Sequence, residues 1–304
     1  MRRLTLLLLG PAMVAGCRDV SRTQTSSFDG DRALQYVQAQ LDFGTRVPGT
    51  ASHDRTGEWI IAQMRTRADT VIEQRWSHVT AAGDTIRLLN VLARFKPGAT
   101  SRVLYVTHWD TRPLTDEAQD PAQRRLPMPG ANDGASGVAL FLSLGDVWKT
   151  LPPDVGVDLL FVDGEDYGDF NTDRDVLIGS KYFAGHLPSA GYKPLYGVLF
   201  DMIGDRDLKI PHEPNSLTGA PEVVARVWDV AKQLGYDNVF VPESYGSGIT
   251  DDHVPLLKAG LHIIDVIDLD YCCHHQPTDT IDKLSAHSLK VVGDVAVALV
   301  RQEP

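Results

Sequence analysis

Apolar runs of strand length alternate along this chain with segments whose apolar residues recur at helical spacing. The strand-like runs lie at residues 86–95, 102–108, 157–162, 195–202 and 261–267. Helical spacing predicts helices at residues 29–41, 51–65, 134–148, 179–185, 221–234, 254–259 and 286–301. Runs that are apolar throughout are typical of strands buried on both faces, so the alternation predicts an α/β fold with helices on each side of a sheet.

The chain has 304 residues, 43% of them hydrophobic, which is enough to bury a sizeable core. After residue 28 the sequence contains no internal repeat, low-complexity segment or internal linker. We therefore expect one domain over residues 29–304. The formal net charge of −11 argues against nucleic acid as a partner. Excess carboxylates suit a cation site or a substrate with a free amine, although solubility is the simpler explanation.

The first 17 residues have the pattern of an export signal. Two arginines precede an apolar run at residues 4–9, which is too short to span a bilayer, and small residues lead to Cys17. This resembles the processing site of bacterial lipoproteins, with a signal peptide at 1–16, lipidated Cys17 and a polar tether at 17–28. The resemblance implies an exported, membrane-anchored lipoprotein, and Arg18 favours the periplasmic side of the outer membrane. The alternatives are an ordinary secretory signal with an incidental cysteine and an uncleaved anchor.

Beyond Cys17, the only cysteines are the adjacent pair Cys272 and Cys273, so a disulfide framework is excluded. Buried free thiols are the default prediction for this pair. A strained vicinal disulfide and a role as zinc ligands are the alternatives, although two adjacent residues do not easily wrap one tetrahedral ion.

Acidic and histidine side chains follow the predicted strands, at the points where the strands end. They are His108, Asp110, Asp133, Asp163, Glu165, Asp166, Asp201, His274 and His275. The carboxyl ends of parallel strands meet at one edge of a sheet, and ionised groups gathered there lose hydration unless a cation lies among them. A single such aspartate is usually a turn former, but recurrence on successive strands predicts a metal centre. Carboxylates with imidazoles suit zinc first among the common metals.

Several separated motifs, in chain order, resemble the zinc-dependent M28 peptidase superfamily, which contains aminopeptidases and the animal-type glutaminyl-peptide cyclotransferases. The motifs are FGTRVPGT, THWD, GANDGASG, FVDGED, GSKYFA, FDMIGD, TDDH and HHQPTDTID. The resemblance covers the chain from about residue 29 to its end, and points to bacterial members of the cyclotransferase branch. It implies a three-layer sandwich with a twisted, mixed and mainly parallel sheet, a zinc cofactor, and peptide or protein N-termini as substrate.

By this resemblance the zinc ligands are Asp133, Asp166 and His275, and a second ion would be held by His108, Asp133 and Asp201. One zinc per chain is favoured and two are the alternative. Asp110 would orient the imidazole of His108, and Glu165 would be the general acid and base. Most relatives have Glu-Glu where this chain has Glu165-Asp166, and the shorter aspartate changes the reach of that ligand.

Two reactions compete for the same site. Aminopeptidases of the superfamily usually have Ser-Asp-His where this chain has Asp251, Asp252 and His253, whereas cyclotransferases resemble Asp-Asp-His. In the cyclotransferases the first of these aspartates pairs with the equivalent of Asp201, so that Asp251 and Asp201 become catalytic and share a proton. We therefore expect conversion of N-terminal glutamine to pyroglutamate, with an M28 aminopeptidase as the alternative. For Asp252 we expect helix N-capping.

The expected substrate pocket departs from the cyclotransferase pattern. Cyclotransferases resemble Trp-His at the final ligand, whereas His274 precedes His275 here and would line the pocket rim. Tyr167 and Phe170 are the candidates for the aromatic residue that follows the acidic pair. A catalytically silent lipoprotein that binds peptide N-termini is a third hypothesis, which the intact Glu165 disfavours. Gly-x-Ser-x-Gly, His-Glu-x-x-His and nucleotide-binding glycine patterns are absent from the sequence.

Overall fold

The computed structural model describes residues 28–303. Its strands, in chain order, are β1 (Thr70–Val79), β2 (Thr85–Phe95), β3 (Arg102–His108), β4 (Gly156–Val162), β5 (Tyr196–Asp201), β6 (Ile210–His212), β7 (Phe240–Ser244) and β8 (Ile263–Ile267). Six of them form one sheet in the order β1-β2-β4-β3-β5-β8, and β6 pairs with β7. Three neighbouring pairs of the large sheet are parallel and two are antiparallel. The mixed, mainly parallel sheet is therefore confirmed.

Helices cover both faces of this sheet. They are α1 (Gly30–Leu41), α2 (Ala51–Arg65), α3 (Ala135–Thr150), α4 (Ile178–Gly185), α5 (Pro214–Gly219), α6 (Pro221–Gln233), α7 (His253–Lys258) and α8 (Ala286–Arg301), with a 3-10 turn at Ile281–Lys283. Every predicted helix is present, with ends within a few residues of those expected.

Side chains alternate along the central strands and divide the core in two. In β3, Val103 and Tyr105 pack into a large cluster with α1, α2, α3, α6 and α8. Leu104 and Val106 point the other way, into a smaller cluster with α4 and α7. Because both faces of β3 and β4 are buried, these strands have the continuous apolar sequences from which they were predicted. The arrangement is the expected three-layer sandwich.

Asp158 is the one acidic residue within the buried strand β4, and the structure explains it. Its side chain is fully buried and accepts hydrogen bonds from Arg94 at 3.0 Å, Arg102 at 2.9 Å and the hydroxyl of Tyr192 at 2.8 Å. A buried charge is tolerated when it is paired and hydrogen-bonded in this way. These hydrogen bonds link β2, β3 and β4 at the edge of the sheet opposite the predicted metal centre.

Three strands and one helix were not predicted. Strand β1 lies at the edge of the large sheet, where Glu73, Arg75 and His78 face solvent at least in part, so it lacks an apolar run. The short pair β6 and β7, together with the six-residue helix α5, has too few residues to show a period.

The predicted export signal and lipid anchor concern the N-terminal segment of the chain. The predicted signal peptide, Cys17 and nearly all of the predicted tether lie outside the described residues. Within residues 28–303, no helix combines the length and the apolar character needed to cross a membrane.

Candidate metal centre

The parallel strands deliver the predicted polar residues to one edge of the sheet. His108 ends β3, Asp201 ends β5, and the loop after β4 carries Glu165 and Asp166. Asp133 lies at the start of α3, in a turn where Gly134 is required, because a Cβ there would lie 2.6 Å from the ring of His108. The apolar strands therefore set the positions of the site residues, as the sequence predicted.

Asp133, Asp166 and His275 form one group of potential ligands. Nε2 of His275 lies 3.4 Å from Oδ1 of Asp166 and 3.9 Å from Oδ2 of Asp133. One atom from each residue lies within 4.8 Å of the others, and all three side chains are buried. Burial raises the pKa of Asp166, as expected for a carboxylate removed from water.

His108, Asp133 and Asp201 form a second group that shares Asp133 with the first. Nε2 of His108 lies 3.1 Å from Oδ1 of Asp133 and 3.1 Å from Oδ1 of Asp201. Burial opposes the charged form of His108, but the carboxylates around it outweigh burial and raise its pKa well above the ordinary value. The structure thus brings together all five predicted ligands.

The donor set fits a divalent cation. Oδ2 of Asp166 is buried and has no hydrogen-bond partner among residues 28–303. Buried polar atoms are normally paired, so an unpaired carboxylate oxygen in a site that also buries Asp133 and Asp201 indicates a missing positive group. Carboxylate oxygen and imidazole nitrogen are ligands that zinc accepts. The residues present therefore match the predicted cofactor.

Glu165 is placed for proton transfer beside this group. Its side chain is 6% exposed, and Oε2 lies 3.8 Å from Nδ1 of His108. Burial raises its pKa well above the usual value, and the charges of Asp166 and Asp251 raise it further. A carboxyl group with a raised pKa can both accept and return a proton near neutral pH.

Asp110 fixes the backbone of the acidic pair. Its two oxygens accept the backbone N–H groups of Glu165 at 3.1 Å and Asp166 at 3.2 Å. Oδ1 also lies 3.6 Å from Nδ1 of His108, on the side of the ring away from Asp133. Asp110 therefore holds the loop that carries Glu165 as well as facing the imidazole.

Asp279 has a supporting role that its place in the HHQPTDTID motif did not reveal. Its carboxylate oxygens accept the backbone N–H groups of Asn132 at 2.9 Å and Asp133 at 3.2 Å. The hydroxyl of Tyr271 donates to the same carboxylate at 2.8 Å. Burial raises the pKa of Asp279 to about 7. The segment that carries His275 is thus tied directly to the turn that carries Asp133.

Asp251 lies behind the second group of ligands and is buried. Burial first, and then the charge of Asp201, raises its pKa to about 6. One side-chain atom each of Asp251, His253 and Asp265 lie within 4.8 Å of one another. Asp252 occupies the N-cap position of α7, but its side chain makes no capping hydrogen bond, so its predicted capping role is corrected. The carboxylate is instead buried, and burial raises its pKa.

A cleft of about 470 Å³ opens onto the ligands. Its walls include Phe170, Met202, the segment at residues 245–249, Leu269 and His274. Tyr167 packs elsewhere, with Ile86, Leu88 and Ile178 on the outside of the sheet, so only Phe170 of the two predicted aromatics lines the cleft. The ring of His274 stacks on that of His275 with centroids 3.7 Å apart.

Cys272 and Cys273 are free thiols, the first exposed and the second buried. Their sulfur atoms lie 2.9 Å apart. Neither belongs to any group of potential metal ligands among the described residues. Cys273 packs with Met202 and Ile267 beneath the cleft.

The chain belongs to peptidase family M28, whose model matches residues 90–300. A structure of Bacteroides thetaiotaomicron glutaminyl cyclase bound to N-acetylhistamine is 32% identical, with a TM-score of 0.88 over 92% of this chain and 99% of that one. A leucine aminopeptidase precursor from the same bacterium matches with the same values. Aminopeptidase YwaD of Bacillus subtilis is 28% identical over 65% of this chain, and the match spans only 40% of the relative. The family and the site identify a metal-dependent enzyme.

Proposed function

We propose that this chain is a zinc-dependent glutaminyl-peptide cyclotransferase that converts N-terminal glutamine of peptides to pyroglutamate and ammonia. The observation that carries the proposal is the buried Asp251, whose pKa is raised by burial and by the charge of Asp201. Both side chains also line the cleft. Oδ2 of Asp251 has no hydrogen-bond partner among the described residues, so a proton on this carboxyl group would be free to donate to a carbonyl, while an ionised Asp201 can accept from an amide N–H group. The similarity to a bacterial glutaminyl cyclase supports the same choice.

The proposed reaction forms a bond between the α-amine nitrogen of the substrate and the γ-amide carbon of its glutamine side chain, and releases ammonia. Zinc, held by Asp133, Asp166 and His275, would polarise the γ-carbonyl group. Glu165 accepts a proton from the α-amine as it attacks and returns that proton to the departing ammonia. Asp201 and Asp251 hold the γ-amide in the orientation that brings its carbon to the amine.

The cleft supports a compact N-terminal residue as the substrate. Phe170, Ile249 and Leu269 supply apolar surface, whereas Glu165 and Asp201 supply the polar groups. Small-molecule sites usually combine an apolar wall with a few convergent polar groups in this way. The α-amine is protonated in solution and releases that proton to water before it attacks as the neutral amine. The carboxylates of Asp133, Glu165 and Asp201 suit its cationic form as it enters the cleft.

An M28 aminopeptidase is the second candidate, and one observation favours it. His108, Asp133 and Asp201 converge closely enough to hold a second ion next to the first. In that case Asp201 is a ligand and no longer pairs with Asp251, and Glu165 activates a water molecule against the peptide carbonyl. The two candidates therefore assign different partners to Asp201.

Two peptides that differ only in their first residue test the proposal. We expect a glutamine-initiated peptide to lose about 17 mass units, the mass of ammonia, and the leucine-initiated peptide to stay intact. Release of free leucine without any cyclisation of the glutamine peptide would instead establish the aminopeptidase. The Glu165→Gln variant is the control for contaminating activity, because it keeps the shape of the site and removes the proton carrier.

A further inference from the structure

Arg112, in the loop after β3, bonds two carboxylates at once. Nε and Nη2 donate to the two oxygens of Asp116 at 2.7 and 2.8 Å, and Nη1 donates to Oδ1 of Asp166 at 2.6 Å. The Arg112 side chain is only 9% exposed. This planar, two-sided geometry uses the fixed fork of the guanidinium group, which a lysine cannot reproduce.

The bond to Asp166 fixes one of the potential zinc ligands. Oδ1 is held by Arg112 and also lies 3.4 Å from Nε2 of His275, while the buried Oδ2 has no hydrogen-bond partner among the described residues. A side chain anchored through one oxygen cannot rotate away, so its lone pairs stay directed at a fixed place.

Asp116 extends the same link to His275. Oδ1 of Asp116 and Oε1 of Glu117 each lie 3.7 Å from Nδ1 of His275, and the backbone N–H of Glu117 donates to the carbonyl oxygen of His275 at 3.3 Å. A carboxylate on the Nδ1 side favours a proton on that nitrogen and leaves the Nε2 lone pair free. Nε2 is the nitrogen that faces Asp133 and Asp166.

We propose that Arg112 is a positioning residue that holds Asp166 directly, and His275 through Asp116, in the geometry that binds the metal ion. One loop thereby orients two ligands that come from different parts of the chain. The proposal rests on the proposed zinc site, but it is independent of whether the enzyme cyclises or cleaves peptides.

Charge and geometry make opposite predictions for this residue. If Arg112 acted mainly through its positive charge, it would repel the cation, and Arg112→Gln would bind zinc more tightly. If it acts by holding Asp166, both Arg112→Gln and the charge-conserving Arg112→Lys weaken zinc binding. Loss of such a partner of a metal ligand typically lowers metal affinity about 10–100-fold.

The experiment measures zinc affinity of the metal-free chain by competition with a chromophoric chelator. We expect Arg112→Lys and Arg112→Gln to weaken zinc binding about 10–100-fold, and Asp116→Asn to weaken it less. Arg67→Lys is the matched control, because the Arg67 side chain is 7% exposed and pairs with Asp146 at 2.8 Å, outside the candidate site. Saturating zinc should restore most of the activity of the Arg112 variants, because the proposed defect is one of zinc binding.

Unchanged zinc affinity in Arg112→Lys, tighter binding in Arg112→Gln, or an equal loss in Arg67→Lys overturns the proposal. If the Arg112 variants do not fold, Asp116→Asn decides, because Asp116 is 44% exposed and its replacement leaves the core intact. Zinc affinity requires no substrate, so failure of the cyclotransferase proposal and failure of this one are separate results.

Discussion

Oδ1 of Asp201 lies 3.1 Å from Nε2 of His108, and the two candidate reactions give this contact different roles. Without a second ion, it is a hydrogen bond that leaves Asp201 free to act with Asp251. With a second ion, both atoms become ligands. The proposed cyclotransferase requires the first arrangement, whereas the aminopeptidase requires the second.

Metal content follows from this contact. We expect one zinc ion per chain, retained in His108→Ala and lost in Asp133→Ala and in His275→Ala, because only the latter two remove ligands of the favoured ion. Elemental analysis of the purified proteins measures this. Two zinc ions in the unaltered chain, or loss of the single ion in His108→Ala, would contradict the assignment.

Glu165 carries the proton in the proposed reaction. We expect Glu165→Gln to lower kcat about 10²–10⁴-fold while zinc stays bound, since the amide cannot accept a proton. Steady-state kinetics and metal analysis of the same sample measure both quantities. Glu58→Gln, at an exposed position outside the cleft, should behave as the unaltered chain. Near-normal turnover in Glu165→Gln would remove this residue from its role.

Asp251 is the residue that separates the two candidate reactions. We expect Asp251→Asn to lower the rate of cyclisation at least about 10-fold with unchanged zinc content, because the amide cannot take part in proton transfer as the carboxyl group can. The neighbouring Asp252→Asn is the control, since Asp252 is also buried but does not line the cleft. If both variants lose activity equally, the effect is one of burial and not of the Asp201 pair.

Glu213 accepts the backbone N–H of Ile249, which lines the cleft, and its ionisation should make the stability of the fold depend on pH. Burial opposes ionisation of Glu213, but hydrogen bonds from His253, Ser216 and the backbone of Ile249 outweigh it and lower its pKa from 4.5 to about 2. A lowered pKa in the folded state stabilises the fold above about pH 4.5, and this contribution is lost as the pH falls from about 4.5 to about 2.

Replacement of Glu213 tests this dependence. We expect Glu213→Gln to lower the free energy of unfolding by about 1–3 kcal/mol at pH 7, and to lose less of its remaining stability between pH 5 and pH 3 than the unaltered chain. Urea denaturation at each pH measures both effects. Glu243→Gln, on the exposed surface, should change neither. Parallel pH profiles for Glu213→Gln and the unaltered chain would refute the role of this carboxylate.

The sequence predicted the fold well where burial imposes a simple pattern. Strands β3 and β4 are buried on both faces, so their sequences are apolar throughout. Strand β1 is an edge strand with polar side chains, and no period in the sequence distinguishes it from a loop. The candidate ligands could be proposed from the sequence because each follows a strand or lies in a motif with fixed spacing.

The residues that support the ligands could not be predicted in the same way. Arg112 is one of many arginines in the sequence, and only its three hydrogen bonds distinguish it. Tyr167 and Phe170 are three residues apart, and the local turn, which the sequence does not encode in a recognisable motif, directs only Phe170 into the cleft. Asp252 has the residue type and position of a helix cap, but its side chain is buried without making the capping bond.

A single glutamine-initiated peptide offers both reactions a substrate and tests the central claim most directly. Mass spectrometry over a time course, with the zinc-loaded chain, separates the products. The account predicts one product, lighter than the substrate by about 17 mass units, together with one equivalent of ammonia. Free glutamine and a peptide shortened by its first residue, without the lighter product, would contradict it.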